Sequence, residues 1–236
     1  MAPAGPDPGS LAMGSPPIIT IDGPSGAGKG TVCRRVAAYL KWHLLDSGAL
    51  YRLVAHAAQA ANVSLDDVPA LVRIATDLEV VFGADLQGEE QIWLSGQEVS
   101  TAIRSEQAGD GASRVAAIPE VRTALVARQQ AFARLPGLVA DGRDMGTVIF
   151  PTAGLKIFLT ASAGERALRR YNQLKDKGLG ANLAALSLEI AERDRRDANR
   201  AVAPLRPADD AIVLDSTSLT IDEVVAKVQA LAAARF

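Results

Sequence analysis

Cysteine is almost missing from this 236-residue chain: Cys33 stands alone, so no intramolecular disulfide can form and a zinc site would lack its usual thiolates. Its place on an expected first helix suggests a small buried apolar residue. Histidine is nearly as scarce, with only His43 and His56 in separate segments, which leaves no basis for a Ser–His–Asp triad or a multi-histidine metal site. Aromatic residues make up 4% of the chain, too few to line a stacking platform for single-stranded nucleic acid. No apolar run approaches transmembrane length. Nor is there a large excess of either charge, the formal net value being −2. The expectation is a cytoplasmic protein with no membrane and no nucleic-acid partner.

The small net charge hides a local concentration. Arginine far outnumbers lysine and gathers in the second half, at Arg166, Arg169, Arg170, Arg193, Arg195, Arg196 and Arg200. A planar guanidinium suits bidentate phosphate binding, so this pattern points to small phosphorylated ligands. The length fits one medium-sized domain, or a core with an insertion. Residues 1–15 are rich in Pro, Gly and Ala, lack a basic start and an apolar core, and read as a disordered tail ahead of a single domain over 16–236.

From there strands and helices alternate. Ile18–Ile21 reads as a strand, Lys29–Leu40 as a helix, His43–Leu45 as a second strand, with a helix opened by Asp46 or Ser47. Leu138–Ala140, Lys156–Leu159 and Ile212–Leu214 read as further strands. Helices are expected near Ala163–Lys175, Leu183–Arg196 and Ile221–Ala233. Such alternation predicts an α/β fold, a parallel sheet of five strands flanked by helices. Between about Asp66 and Arg104 the texture changes. Leu78–Phe82, Gln91–Leu94 and Glu98–Ser100 read as short antiparallel strands separated by turns such as ADLQGEE, an inserted subdomain at the substrate mouth.

Residues 18–31, IITIDGPSGAGKGT, carry the most specific local chemistry. A β-branched strand breaks into a glycine-rich loop with one lysine, and backbone N–H groups of such a loop can point at an anion. The spacing from Gly23 to Lys29 fits the Walker A pattern, except that Gly30 follows the lysine and the hydroxyl comes one later, at Thr31. An ordinary glycine-rich βα turn is the plain alternative, which the strand–loop–lysine–helix context disfavours.

Three further segments gain meaning from that loop. In LLDSGALYR, Ser47 and Arg52 follow a strand end, where ligands collect in open parallel sheets, although a helix cap with a solvated arginine explains the segment equally well. In GLVADGRDMGT, Asp141, Gly142, Arg143 and Asp144 end an apolar strand, and an acidic residue there resembles the Walker B arrangement that helps hold Mg²⁺, directly or through water. Whether Asp141 or Asp144 lies nearer the metal stays open. In ERDRRDANR, Arg193, Asp197 and Arg200 follow spacings of four and three on one helical face, with Arg196 close by. A solvated ion-paired helix is the alternative. With a phosphate loop in the same chain, stabilisation of a transferring phosphoryl group is the stronger reading.

Together, GPSGAGKGT, LLDSGALYR, ADGRDMGTVIFP and ERDRRDANRAVAPL resemble the bacterial cytidylate kinases, nucleoside-monophosphate kinases of the P-loop NTPase fold that move the ATP γ-phosphate to CMP or dCMP. The resemblance covers essentially everything after the tail, and the order Lys29–Gly30–Thr31 is normal for monophosphate kinases. It implies that Gly23, Pro24, Ser25, Gly26, Ala27, Gly28, Lys29, Gly30 and Thr31 hold ATP, with Thr31 and Asp141 on the metal. Arg52 and Arg143 would clamp the CMP phosphate, helped by Ser47. Ser113, Arg122 and Asp144 would read cytosine, and Arg193, Asp197 and Arg200 would serve the sugar and phosphates. Lys29, Arg143, Arg193 and Arg196 would carry the catalytic charge. The insertion over about 66–104 would enlarge the monophosphate site, and a helical lid over about 166–196 would bring Arg169 or Arg170 over ATP. Arg114 is easily confused with Arg122, and Arg195 with Arg193 or Arg196. A monomer is expected. Two rivals share the loop: a small-metabolite kinase such as shikimate kinase, which would not need the insertion, and a non-catalytic nucleotide-binding regulatory module. A GTP switch is disfavoured because no NKxD motif occurs.

Overall fold

The β-branched run that opens the domain forms the middle of a parallel sheet. In a computed structural model, which describes residues 15–84, 90–176, 178 and 180–236, the chain runs β1 (Ile18–Asp22), α1 (Lys29–Leu40), β2 (His43–Asp46), α2 (Ser47–Ala60), α3 (Val68–Thr76), β3 (Val80–Ala84), β4 (Glu90–Leu94), β5 (Gln97–Glu98), α4 (Glu106–Val115), α5 (Pro119–Gln130), β6 (Leu138–Gly142), β7 (Leu155–Thr160), α6 (Ala163–Asp176), α7 (Leu183–Ala198), β8 (Ile212–Asp215) and α8 (Ile221–Arg235). The predicted tail, residues 1–15, lies outside the described residues except for its last member. The five strands expected to be parallel are so, in the order β2-β6-β1-β7-β8.

Helices cover both faces of this sheet, which is why its inner strands read as continuous apolar runs; every residue of β6 is buried. On one face α1 and α8 pack Val32, Val36, Val225 and Val228 against Ile19, Ile21 and Ile157. Cys33 belongs to this cluster, fully buried, and burial pushes its thiol pKa well up, as expected of an inert apolar residue. On the other face α2, α4 and α5 supply Leu50, Leu53, Val115, Val121 and Leu125 against Leu45, Leu138 and Ala140. Caps fix where these helices begin. Asp46 accepts the N–H of Ala49 at 3.0 Å to start α2, and Thr220 with Glu223 forms a capping box on α8.

The inserted region differs from its sequence reading in two respects. It opens with a helix, α3, capped by Asp67, before the antiparallel sheet β3-β4-β5 begins. Its third strand ends at Glu98 rather than Ser100. There the Ser100 hydroxyl accepts the N–H of Ile92 at 2.8 Å, so a side chain takes over the ladder's role. Most of the ADLQGEE turn falls outside the described residues. Helices α3, α4 and α5 went unread in the sequence, as did a π-helical turn over Met145–Ile149. Among the described residues no helix is long and apolar enough to cross a membrane.

Candidate active site

All strands of a parallel sheet end on one edge, and the loops leaving those ends here surround a cleft of about 1650 Å³. Ser25 to Thr31 line one side of it, while Gly23 and Pro24 sit beneath the loop and do not reach the wall. That position at Gly23 demands glycine. Its φ is 147°, and an added Cβ would lie 1.9 Å from the Leu159 carbonyl oxygen of β7.

Lys29 is buried, and its Nζ donates to the carbonyl of Pro24 at 2.8 Å. Burial pulls its pKa down to about 8; the Arg143 charge adds to this and Asp141 opposes it. Conversely, burial raises Asp141 to about 6 against the pull of Lys29. Asp141 and Lys29 therefore act on each other electrostatically within the same wall of the cleft. A Cβ on Gly30 would stand 3.4 Å from Asp141 Oδ2, so the residue that broke the Walker pattern lies directly against this carboxylate. Asp144 faces the other way, in a buried pair with Arg122. A hydroxyl at Thr31 and a carboxylate at Asp141 are hard oxygen donors of the kind Mg²⁺ takes. Among the described residues no group of three or more His, Cys, Asp or Glu could hold a metal ion.

The opposite side of the cleft gathers residues from four distant segments: Ser47 and Arg52, Ser113 and Arg122, Arg143 and Asp144, Arg193, Asp197 and Arg200. Asp197 is the hub. It is 1% exposed and accepts from Ser113 Oγ at 3.1 Å, from Arg143 Nε at 3.1 Å and from Arg200. Burial alone would raise its pKa, but the Arg143, Arg200 and Arg193 charges outweigh that and hold the carboxyl below its ordinary value. Arg200 reaches Asp197 from just past the helix, since α7 ends at Ala198; the expected shared helical face is thus completed by the chain leaving it. Arg122 also donates to the Ala116 carbonyl at 3.1 Å and lies 5.6 Å over the Tyr51 ring.

Geometry separates the look-alike arginines. Arg114 turns away from the cleft toward Asp66, at 3.5 Å, and Arg195 pairs on the surface with Glu192. Arg196 lines the cleft and meets Asp110 of α4 at 2.7 Å. Arg169 and Arg170 line it too; Arg169 donates to the Ser216 carbonyl at 2.6 Å, and Arg170 to Gln173 at 3.3 Å. The inserted region meets the cleft at its end. Arg104 lines the cleft, but no described residue of β3, β4 or β5 does.

Two contributors had no assigned part in the site from sequence. Tyr51 walls the cleft beneath Arg122. Arg166 is buried, with Nε donating to the Ala161 carbonyl at 2.9 Å and Nη1 to the Ser25 carbonyl at 3.0 Å, while Asp194 takes both Nη groups. It thereby ties α7 to the phosphate loop. Only the i-to-i+28 pairing makes this visible, and no local spacing encodes it.

A model of the cytidylate kinase family matches residues 19–234. The chain is 59% identical over 216 residues to the cytidylate kinase of Aeromonas salmonicida, covering 92% of this chain and 94% of that protein. Against the cytidylate kinase of Sodalis glossinidius identity is 60% over 219 residues, 93% of this chain and 95% of the other. Against that of Stutzerimonas stutzeri it is 61% over 213 residues, covering 90% and 93%.

Proposed function

The chain belongs to the cytidylate kinase family, and on that premise we propose how its cleft divides the work between two substrates. The protein is a phosphotransferase that moves the γ-phosphoryl group of ATP to CMP or dCMP, giving ADP and CDP or dCDP. The observation that carries the division is the unlike equipment of the two walls: a glycine-rich loop with Lys29 on one, and the Arg122–Asp144 pair with the Asp197 hub on the other.

The donor loop's N–H groups cradle the ATP phosphates, and Lys29 neutralises the oxygens of the group in transit. A CMP phosphate oxygen attacks the γ-phosphorus in line as the bond to the β–γ bridging oxygen breaks. No protein nucleophile is required, because positioning and charge compensation lower the barrier. Arg52 and Arg143 grip the acceptor phosphate, Ser47 orients it, and Arg193 and Arg196 add charge where the equatorial oxygens become more negative. Thr31 and Asp141 would hold Mg²⁺, which would supply positive charge to offset that of the donor phosphates. Ser113, Arg122 and Asp144 read cytosine, since its N4 amino group donates to a carboxylate and its N3 accepts from a guanidinium or hydroxyl. Uracil reverses both polarities. Helices α6 and α7 act as the lid that excludes water, with Arg169 and Arg170 on the donor side.

We further infer a cytoplasmic monomer. One chain supplies both walls, and its single thiol is buried. The small-metabolite kinase and the non-catalytic module are not favoured, given the family and a filled acceptor wall. A coupled assay with ATP and each of five monophosphates tests the reading: CMP and dCMP should be turned over, with AMP, GMP and UMP at least about 10-fold poorer. Equal turnover of UMP and CMP would overturn the base-reading assignment.

A further inference from the structure

The turn that presents Arg143 and Asp144 is fastened at both ends to one residue that stays out of the cleft wall. Asp22, the last residue of β1, pairs in the sheet with Gly142, the residue just before the turn. Its carboxylate then reaches past the turn and accepts the N–H groups of Met145 at 2.9 Å and Gly146 at 2.8 Å. These are the opening N–H groups of the π-helical turn Met145–Ile149, which have no partner within that turn. The turn also presses directly on β1, for a Cβ on Gly146 would stand 2.8 Å from Thr20 Oγ1. Immediately after Asp22, at Gly23, the donor loop begins.

Resting on the acceptor-side reading of Arg143 and Asp144 given above, we propose that Asp22 is a positioning residue for phosphoryl transfer, setting the aim of those two side chains relative to the donor loop. A two-residue turn has few torsions, and with both ends fixed to one residue it has almost none to spare. The same carboxylate group is attached to the strand that launches the phosphate loop, so the distance between donor and acceptor is set within one residue. That is the distance on which transfer depends most steeply. Burial pushes the Asp22 pKa up to about 7, with the Gly146 and Met145 N–H groups opposing, which shows that these two bonds hold the carboxylate in a site that disfavours its charge.

The test uses the full-length enzyme as wild type, Asp22→Ala and Asp22→Asn, with CMP varied at saturating ATP, ATP varied at saturating CMP, and melting temperature recorded for each. Asp22→Ala orphans both N–H groups; the KM for CMP should rise about 10-fold or more and kcat should fall, while the KM for ATP stays within about 3-fold. Asp22→Asn keeps one acceptor oxygen and should fall between, with a rise of about 3-fold in the KM for CMP. A purely structural role would lower the melting temperature and leave the kinetic constants of the folded enzyme unchanged; that result, or an equal rise in the KM for ATP, overturns the proposal. If Asp22→Ala does not fold, Asp22→Asn decides alone, and wild-type constants for it refute the positioning role. A wild type that fails to phosphorylate CMP would instead overturn the activity reading.

Discussion

Asp144→Asn alters one terminal group of a buried pair and isolates the reading of cytosine. Asp144 is 3% exposed and Arg122 is 5% exposed. The amide keeps a carbonyl oxygen for the guanidinium, so the fold is retained, but it presents an NH₂ donor where the proposal needs an acceptor for cytosine N4. A hydrogen bond to a charged group contributes about 1.5–3 kcal/mol, and at about 1.4 kcal/mol per decade the kcat/KM for CMP should drop about 10- to 150-fold. Uracil offers an acceptor at O4, which the new amide can satisfy, so the kcat/KM for UMP should change by less than about 3-fold. Fully breaking a buried pair costs about 3–5 kcal/mol, and the retained carbonyl should hold the loss below that. The assay is steady-state turnover of CMP and UMP at saturating ATP, run well below the variant's melting temperature. Equal declines for CMP and UMP would refute the reasoning and leave Asp144 as a strut for Arg122.

Lys29→Met should lower kcat by about 100-fold or more in steady-state kinetics, with no loss of melting temperature, because burial already works against its charge and holds its pKa down to about 8. Gly23→Ala should cost more than about 4 kcal/mol in urea unfolding, since the clashing partner is strand backbone that cannot swing aside; near-wild-type stability would contradict the close approach to Leu159. Asp22 sets a pH dependence. With a folded pKa of about 7 against an ordinary 3.8, the native state binds protons more tightly than the unfolded chain, so this residue makes unfolding free energy fall as pH rises from about 4 to about 7. The total is about 4 kcal/mol at the linkage rate of 1.36 kcal/mol per unit, and Asp22→Asn should flatten that slope in a pH series of denaturant melts.

The donor half of the site was legible because its parts are contiguous: Gly23 to Thr31 carry their geometry in their own spacing, and the strand and helix on either side follow from Ile19, Ile21, Val32 and Val36. On the opposite wall Ser47, Asp144 and Asp197 were legible in their own segments and Ser113 and Arg122 only through resemblance, because nothing in any one segment announces that these residues line one cleft. Helix α4, EQAGDGASRV, was missed because two glycines and a polar run mask it, and its stability comes from packing on α2. Asp22 drew no role from the sequence. Its partners lie 123 and 124 positions away, and only the closed sheet brings them within reach.

In the strand order β2-β6-β1-β7-β8, the strands that launch the donor loop and the acceptor turn are interior neighbours, while β8 forms a rim with Ile212 and Val213 exposed. Sheets fray from their rims. The amides of Ile19 to Ile21 and of Val139 to Asp141 should therefore be among the slowest to exchange with deuterated solvent, and those of β8 among the fastest of the sheet. Heat or denaturant that loosens the β8 rim would then leave the relative placement of the two nucleotides intact, so activity should outlast the first signs of melting. The rim is accordingly where the fold can accept new sequence at least cost to catalysis.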